Sequence, residues 1–280
     1  MASSSGLTRL SRLTLPAALA LLLAAPQQSP PAGARLVELE LVLGVDTSMS
    51  VAPDEFTLQM AGYAQAFRDP KVIDAIQSHG GAGIAVTLVQ WADSYQQAVS
   101  LDWTWIDDGA GAAAFADRLG ATGRRFIGPG TALATALGYC LGRFEGNAFE
   151  GRRLVVDISG DGRDNRGPRL TAVRALATAV GVTVNGLAIV NDEPFLDRYY
   201  ERQVIAGPDA FVVAAADYHD FAEAIVRKLV REIAGPQIAR RPVPGGYSAR
   251  AVLPEIRRST SPSTMRLNSM SMPLSVSTRS

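Results

Sequence analysis

The sequence predicts a doubly wound α/β fold, a mostly parallel sheet flanked by helices. Three observations carry that prediction. Apolar runs of strand length alternate with segments of helical period through the middle of the chain, the first run is nearly continuous as in a strand covered on both faces, and polar loops rich in Gly, Ser and Asp follow several strands. No internal repeat breaks the alternation.

Residues 37–45 (VELELVLGV) begin as an alternating pattern and end as an apolar run. After the turn DTSMS, Pro53 with Asp54 and Glu55 opens a helix bearing Phe56, Met60, Tyr63 and Phe67 at helical spacing; proline and acids suit a helix N-terminus. Strands are expected over 84–91 and 96–105, a helix over 110–119, and a helix over 131–144 behind the turn Gly128-Pro129-Gly130. A strand over 154–159, a helix over 170–180, a strand over 182–190, a short helix over 195–202, a strand over 210–214 and a last helix over 218–233 complete the pattern.

The chain of 280 residues is 47% hydrophobic and 19% charged, which supports a real core and excludes both wholesale disorder and a multi-span membrane protein. Its formal charge of zero is an average of unlike parts. Residues 1–34 hold Arg9 and Arg12 and no acid, while residues 236–280 hold seven arginines against Glu255. Residues 35–235 are left with an acidic excess of eight, and no nucleic-acid partner is expected.

Arg9 and Arg12, the apolar stretch 13–25 and the small triplet Ala32-Gly33-Ala34 have the layout of a secretory signal peptide over 1–34; the other reading is an uncleaved anchor. A periplasmic or extracellular protein follows, with no transmembrane helix in the mature chain. Residues 236–280, rich in Ser, Arg and Pro without a period, are expected to form a disordered tail, either a basic arm or a dispensable extension. Cys140 is the only cysteine, so no intramolecular disulfide can form, and its place on the apolar face of a helix points to a buried thiol.

Ligands of open α/β sheets bind where loops leave the carboxyl ends of the strands. Three such loops carry oxygen donors. In the first, Asp46, Ser48 and Ser50 alternate, so an extended turn can aim their oxygens to one side. The second offers Thr131, as helix N-cap or ligand, and the third, Ser159-Gly160-Asp161-Gly162, offers Asp161 between glycines expected to permit a sharp turn. With neither Cys nor His among them, the set suits Mg²⁺ or Mn²⁺ (or Ca²⁺) rather than Zn²⁺.

The D-x-S-x-S of Asp46, Ser48 and Ser50, the threonine of GPGTALATAL and the aspartate of SGDG resemble, in order, the three parts of a metal-ion-dependent adhesion site in a von Willebrand factor type A (vWA) domain. The strand LVVDISGDG and the start LELVLGVDTSMS resemble more narrowly a bacterial vWA-like group, DUF1194. The resemblance spans about residues 36–234 and implies a vWA, Rossmann-like fold. It also implies that Ser48 and Ser50 bind the metal directly, that Thr131 joins directly or through water, and that Asp46 and Asp161 act through water or from behind. The third loop departs in reading SGDG where many type A domains have TDG.

Each part has a plainer reading. DTSMS could cap the next helix, Thr131 could be an N-cap and Asp161 a turn residue; their coincidence favours the metal. Asp157, inside the apolar run LVVDIS, could support the site or pair with Arg152 or Arg153, and Asp164 could support the site or be solvated. His79 and His219 are isolated, and Trp103 and Trp105 are expected to pack at a core or edge.

The expected function is a binding module, not an enzyme, that engages a protein partner through the cation, with a Glu or Asp side chain of that partner as the candidate contact. Neutral hydroxyls around the ion would leave it electrophilic toward an incoming anionic oxygen. Two alternatives stay open: a metal-dependent hydrolase, although the sequence has no P-loop, no GxSxG and no His near the loops, and a structural module with a vestigial site.

Overall fold

The computed structural model describes residues 33–235; the expected signal peptide, apart from its last two residues, and the basic tail lie outside them. β1 (Arg35–Asp46) is central, and the order across the six-stranded sheet is β3-β2-β1-β4-β5-β6. β1 pairs in parallel with β2 (Ile84–Trp91) and β4 (Phe149–Gly160), β4 with β5 (Val182–Ile189), and β5 with β6 (Val212–Ala215). Only β3 (Gln97–Ile106), joined to β2 by a short hairpin, runs antiparallel. The mostly parallel, doubly wound sheet is therefore as expected.

Helices cover both faces, which is why the middle strands read as apolar runs. α1 (Pro53–Ala66), α2 (Pro70–Gln77), α3 (Gly109–Gly120) and α7 (Phe221–Ala234) cover one face, where Leu39, Leu41, Leu43 and Val45 of β1 are buried. α4 (Leu133–Leu141), α5 (Leu170–Ala179) and the short α6 (Leu196–Tyr199) cover the other, facing Val42, Val156 and Ile158. Cys140 of α4 is buried against Gly44 at the sheet's centre, and burial pushes its thiol up to about 12.

Several elements differ from the expectation. α2 has no counterpart in the sequence reading, although Asp69 caps it through Lys71 N at 2.8 Å and Pro70 starts it. β4 begins at Phe149 rather than 154, because Glu40 of β1 accepts hydrogen bonds from Gly151 N and Asn147 Nδ2, both at 2.6 Å, and draws a polar stretch into the sheet. α4 begins at Leu133 rather than 131, and β6 is shifted to Val212. Trp103 and Trp105 are half-buried on edge strand β3, their indoles donating to the carbonyls of Arg143 and Ala82.

Among the described residues no helix is long and apolar enough to cross a membrane.

Candidate functional site

The first and third sequence-selected loops leave the carboxyl ends of central strands, and the second, which joins two helices rather than leaving a strand as expected, comes to the same end of the sheet. β1 delivers Asp46, β4 delivers Asp161, and the segment 121–132 between α3 and α4 folds back over the end of β1. That segment is held there by main-chain pairing of Ser48 with Gly128, by Met49 N to Gly128 O at 2.8 Å, and by Ala132 N to Ala92 O at 2.9 Å. Arg124 completes the clamp: its Nη2 donates to Thr47 O at 2.9 Å and Ser48 O at 2.7 Å, and its Nε donates to Phe126 O.

The five donors meet in one chain of contacts. Asp46 Oδ1 accepts Ser48 N at 2.7 Å, which curls DTSMS back on itself. Ser48 Oγ lies 3.1 Å from Ser50 Oγ and 3.5 Å from Thr131 Oγ1, and Ser50 Oγ donates to Asp161 Oδ1 at 2.8 Å. Asp46, Ser48, Thr131 and Asp161 are buried, whereas Ser50 opens to solvent. The plainer readings of two loops do not describe these positions. Helix α1 is capped at Ala52, whose N–H donates to Glu55, not by DTSMS, and the cap residue of α4 is Ala132, leaving the Thr131 hydroxyl free to face Ser48.

The glycines of the third loop act differently from expected. Neither Gly160 nor Gly162 adopts a positive φ, so no sharp left-handed turn is needed. Gly160 is instead a matter of space: a Cβ there would stand 2.9 Å from Asp46 Oδ2 and 2.8 Å from the Tyr200 hydroxyl. The SGDG spelling still places Asp161 against Ser50.

Electrostatically the site is short of positive charge. Burial, reinforced by the Asp161 carboxylate, pushes Asp46 up to about 8, against the pull of the Ser48 donors and Arg124. Burial likewise raises Asp161, opposed by its bonds from Ser50 and Tyr218. Asp46 Oδ2 is buried with no hydrogen-bond partner, a costly state for a carboxylate oxygen.

The two supporting candidates sit differently. Asp164 Oδ1 accepts Ala134 N at 3.4 Å at the uncapped start of α4, Asn165 Oδ1 accepts Thr131 N at 2.9 Å, and Tyr199 OH accepts Asp164 N. This loop therefore positions Thr131 from behind. Asp157 takes no part in the donors' contacts. It pairs with Lys228 of α7, Nζ to Oδ1 at 2.7 Å, not with Arg152 or Arg153, which face Glu38. Lys228 also meets Glu232 at 2.5 Å, and Asn185 donates to the same Glu232 oxygen at 2.9 Å. All three ionisable groups are sealed from solvent.

Three contributors escaped the sequence reading. Arg124 and Tyr218, whose hydroxyl donates to Asp161 Oδ2 at 3.1 Å, lie at no motif spacing from the loops; the buried Tyr200, in the π-helical turn just after α6, lies close to Gly160. Only topology brings them in.

The model of a family described as "protein of unknown function (DUF1194)" matches residues 36–237. The chain belongs to this family. No curated protein sequence matches it. The DUF1194 domain is similar in fold to solved vWA structures at low identity. Proximal thread matrix protein 1 from the mussel byssus, in a structure described as having a zinc-occupied MIDAS motif, is 16% identical with a TM-score of 0.51, over 71% of this chain and 48% of that one. A von Willebrand factor type A structure from Catenulispora acidiphila is 17% identical with a TM-score of 0.51, over 70% and 43%. The vWF domain of the type V pili tip protein Mfa5 from Porphyromonas gingivalis is 10% identical with a TM-score of 0.50, over 72% and 98%. The chain spans less than half the length of the first two. These likenesses make the fold that of a vWA domain.

Proposed function

We propose that this DUF1194 domain is a secreted or periplasmic binding module that engages a protein partner through a divalent cation, Mg²⁺ or Mn²⁺. Ser48, Ser50 and Thr131 would hold the ion, with Asp46 and Asp161 behind or beside them. The observation that carries the proposal is the junction itself: two buried carboxylates, one with an orphaned oxygen, joined by three hydroxyls, with the Arg124 guanidinium donating to the carbonyls of Thr47 and Ser48 behind them. The oxygen spacings of 2.8, 3.1 and 3.5 Å fit neighbouring positions of a six-oxygen shell of Mg²⁺ size, about 3 Å apart.

Bound there, the ion supplies a positive centre whose charge neutral hydroxyls do not quench, attractive to a carboxylate of a partner. The chain's own residues set up that encounter. Gly160 keeps Asp46 close, Tyr218 and Ser50 orient Asp161, and Arg124 fixes the carbonyls that shape the serine loop. The solved vWA structures described as belonging to byssus and pilus proteins support a binding role. Among the described residues no histidine reaches the junction to serve as a base: His79 bonds to Ile233 O at the far end of α7, and His219 is exposed on the turn before α7. This favours binding over hydrolysis.

Calorimetric titration with Mg²⁺ and Mn²⁺ tests the proposal. A saturable isotherm is expected for the parent and at least a tenfold weaker one for Asp46→Asn, with far-UV circular dichroism unchanged. Equal isotherms would refute the site.

A further inference from the structure

Among the described residues, the large apolar side chains most exposed to solvent are Leu36, Met49, Tyr95, Ile127 and Phe195, at 67, 59, 98, 65 and 60%. Leu36 lies at the amino end of β1. The other four all rise from loops at the opposite, carboxyl end. Single exposed hydrophobics are ordinary; four on the loops that frame one cluster of oxygen donors are a surface.

The sheet order spaces them around the donors. Tyr95 tips the β2–β3 hairpin, Met49 lies between the two ligand serines of β1's loop, Ile127 precedes the Gly128 that pairs with Ser48, and Phe195 follows β5. The first three loops are in direct contact, since Met49 N bonds to Gly128 O and Gly128 abuts Ala92, Asp93 and Gln96 of the hairpin. Phe195 stands beyond Asp161, on a loop tied to Asp161's own by the Arg163–Glu193 ion pair.

Phe195 shows that this exposure is maintained at a cost. Its φ of +73° is the left-handed region that a bulky side chain avoids, at about 1–3 kcal/mol. The ring stays out of the core, with Arg198 over it at 4.7 Å.

We infer that Met49, Tyr95, Ile127 and Phe195 form the contact rim of the cation site, and that the partner is a protein segment of one kind. That segment presents a carboxylate flanked on both sides by apolar side chains. One flank lies against Met49, Ile127 and Tyr95, the other against Phe195, and the carboxylate reaches the ion between them. Charge complementarity selects an acidic segment: Arg125 and Arg166 stand exposed on the loops beside the first flank, Arg166 with its side chain against Gly130. An apolar rim around a polar centre is the anatomy of a binding hot spot, where apolar contact excludes water from the central charge pair. The inference rests on the cation reading above.

A random twelve-residue peptide library displayed on phage, selected on the immobilised full chain with Mg²⁺ and counter-selected with EDTA, tests it. Enriched peptides should carry Asp or Glu beside Leu, Ile, Val or an aromatic residue, and exchanging that acid for its amide should abolish capture. Ile127→Ser and Phe195→Ser should each bind the best peptide at least tenfold more weakly while their Mg²⁺ isotherms match the parent. Enrichment without apolar neighbours, rim variants that bind like the parent, or no Mg²⁺-dependent enrichment overturns the rim. A missing Mg²⁺ isotherm in the parent overturns instead the cation reading beneath it.

Discussion

Replacing Lys228 with methionine should cost this domain a large fraction of its stability, and the structure says how much and at which pH. Lys228 lies between Asp157 of β4 and Glu232 of its own helix, all sealed from solvent. One ammonium faces two carboxyl groups. Burial and the Asp157 charge push Glu232 up to about 7, although Lys228 and Asn185 pull it down, so near neutrality Glu232 is divided between its protonated and ionised forms. Methionine fills most of the lysine volume but removes the cation, leaving Asp157 unpaired in the interior. Breaking a buried pair in this way costs about 3–5 kcal/mol, equivalent to a fall in Tm of about 6–20 °C for a domain of this size.

The loss has a sign in pH. Glu232 already stands above its ordinary range in the parent, and the variant removes the cation that pulls it down, so its folded pKa stands further above the unfolded one. Its stability is present at low pH and is lost as pH rises through the folded value. Urea denaturation of parent and Lys228→Met at pH 4.5, 6 and 8 measures this, with the deficit growing toward pH 8. Glu232→Gln is the control: it leaves Lys228 and Asp157 as a one-to-one pair and should match or exceed the parent at pH 8, where Glu232 of the parent must ionise. A Lys228→Met deficit below about 1 kcal/mol at pH 8, or one that shrinks as pH rises, would refute the charge count.

Two further variants probe the donor junction. Gly160→Ala places a methyl group against Asp46 and the rigid, buried Tyr200; Mg²⁺ affinity should fall at least tenfold, with a loss of about 1–3 kcal/mol in chemical denaturation from overpacking. Tyr218→Phe deletes the hydroxyl that donates to Asp161; stability should fall by about 1 kcal/mol, and calorimetry should show Mg²⁺ binding weakened but retained.

Much of the junction was legible because its chemistry lies in short local patterns. Asp46, Ser48 and Ser50 alternate after a buried strand. The plainer alternatives could not be removed from sequence, since a hydroxyl's direction is decided by what lies across from it. The Thr131 hydroxyl faces Ser48 because Ala132, not Thr131, is the cap residue of α4. The role of Gly160 was misread because close approach to Asp46 is a tertiary fact, invisible in a Gly-Asp-Gly string. Lys228 lay in an ordinary amphipathic helix pattern, and nothing in that pattern says that it faces Asp157 71 positions earlier. The helix α2 was missed despite Asp69-Pro70 and its apolar Val72, Ala75 and Ile76, because eight residues give too short a period to stand out.

The donors that meet at the junction are 83 positions apart for Ser48 and Thr131 and 111 apart for Ser50 and Asp161. Such contacts close only after β4 has paired with β1 across an intervening hairpin and four α-helices, the slow non-local part of folding. A slip of one residue between these strands would turn Asp161 to the opposite face of the sheet. Ion binding would therefore certify that the central strands have found their register, so a chain trapped in a near-native, misaligned state would keep its helices and lose its metal.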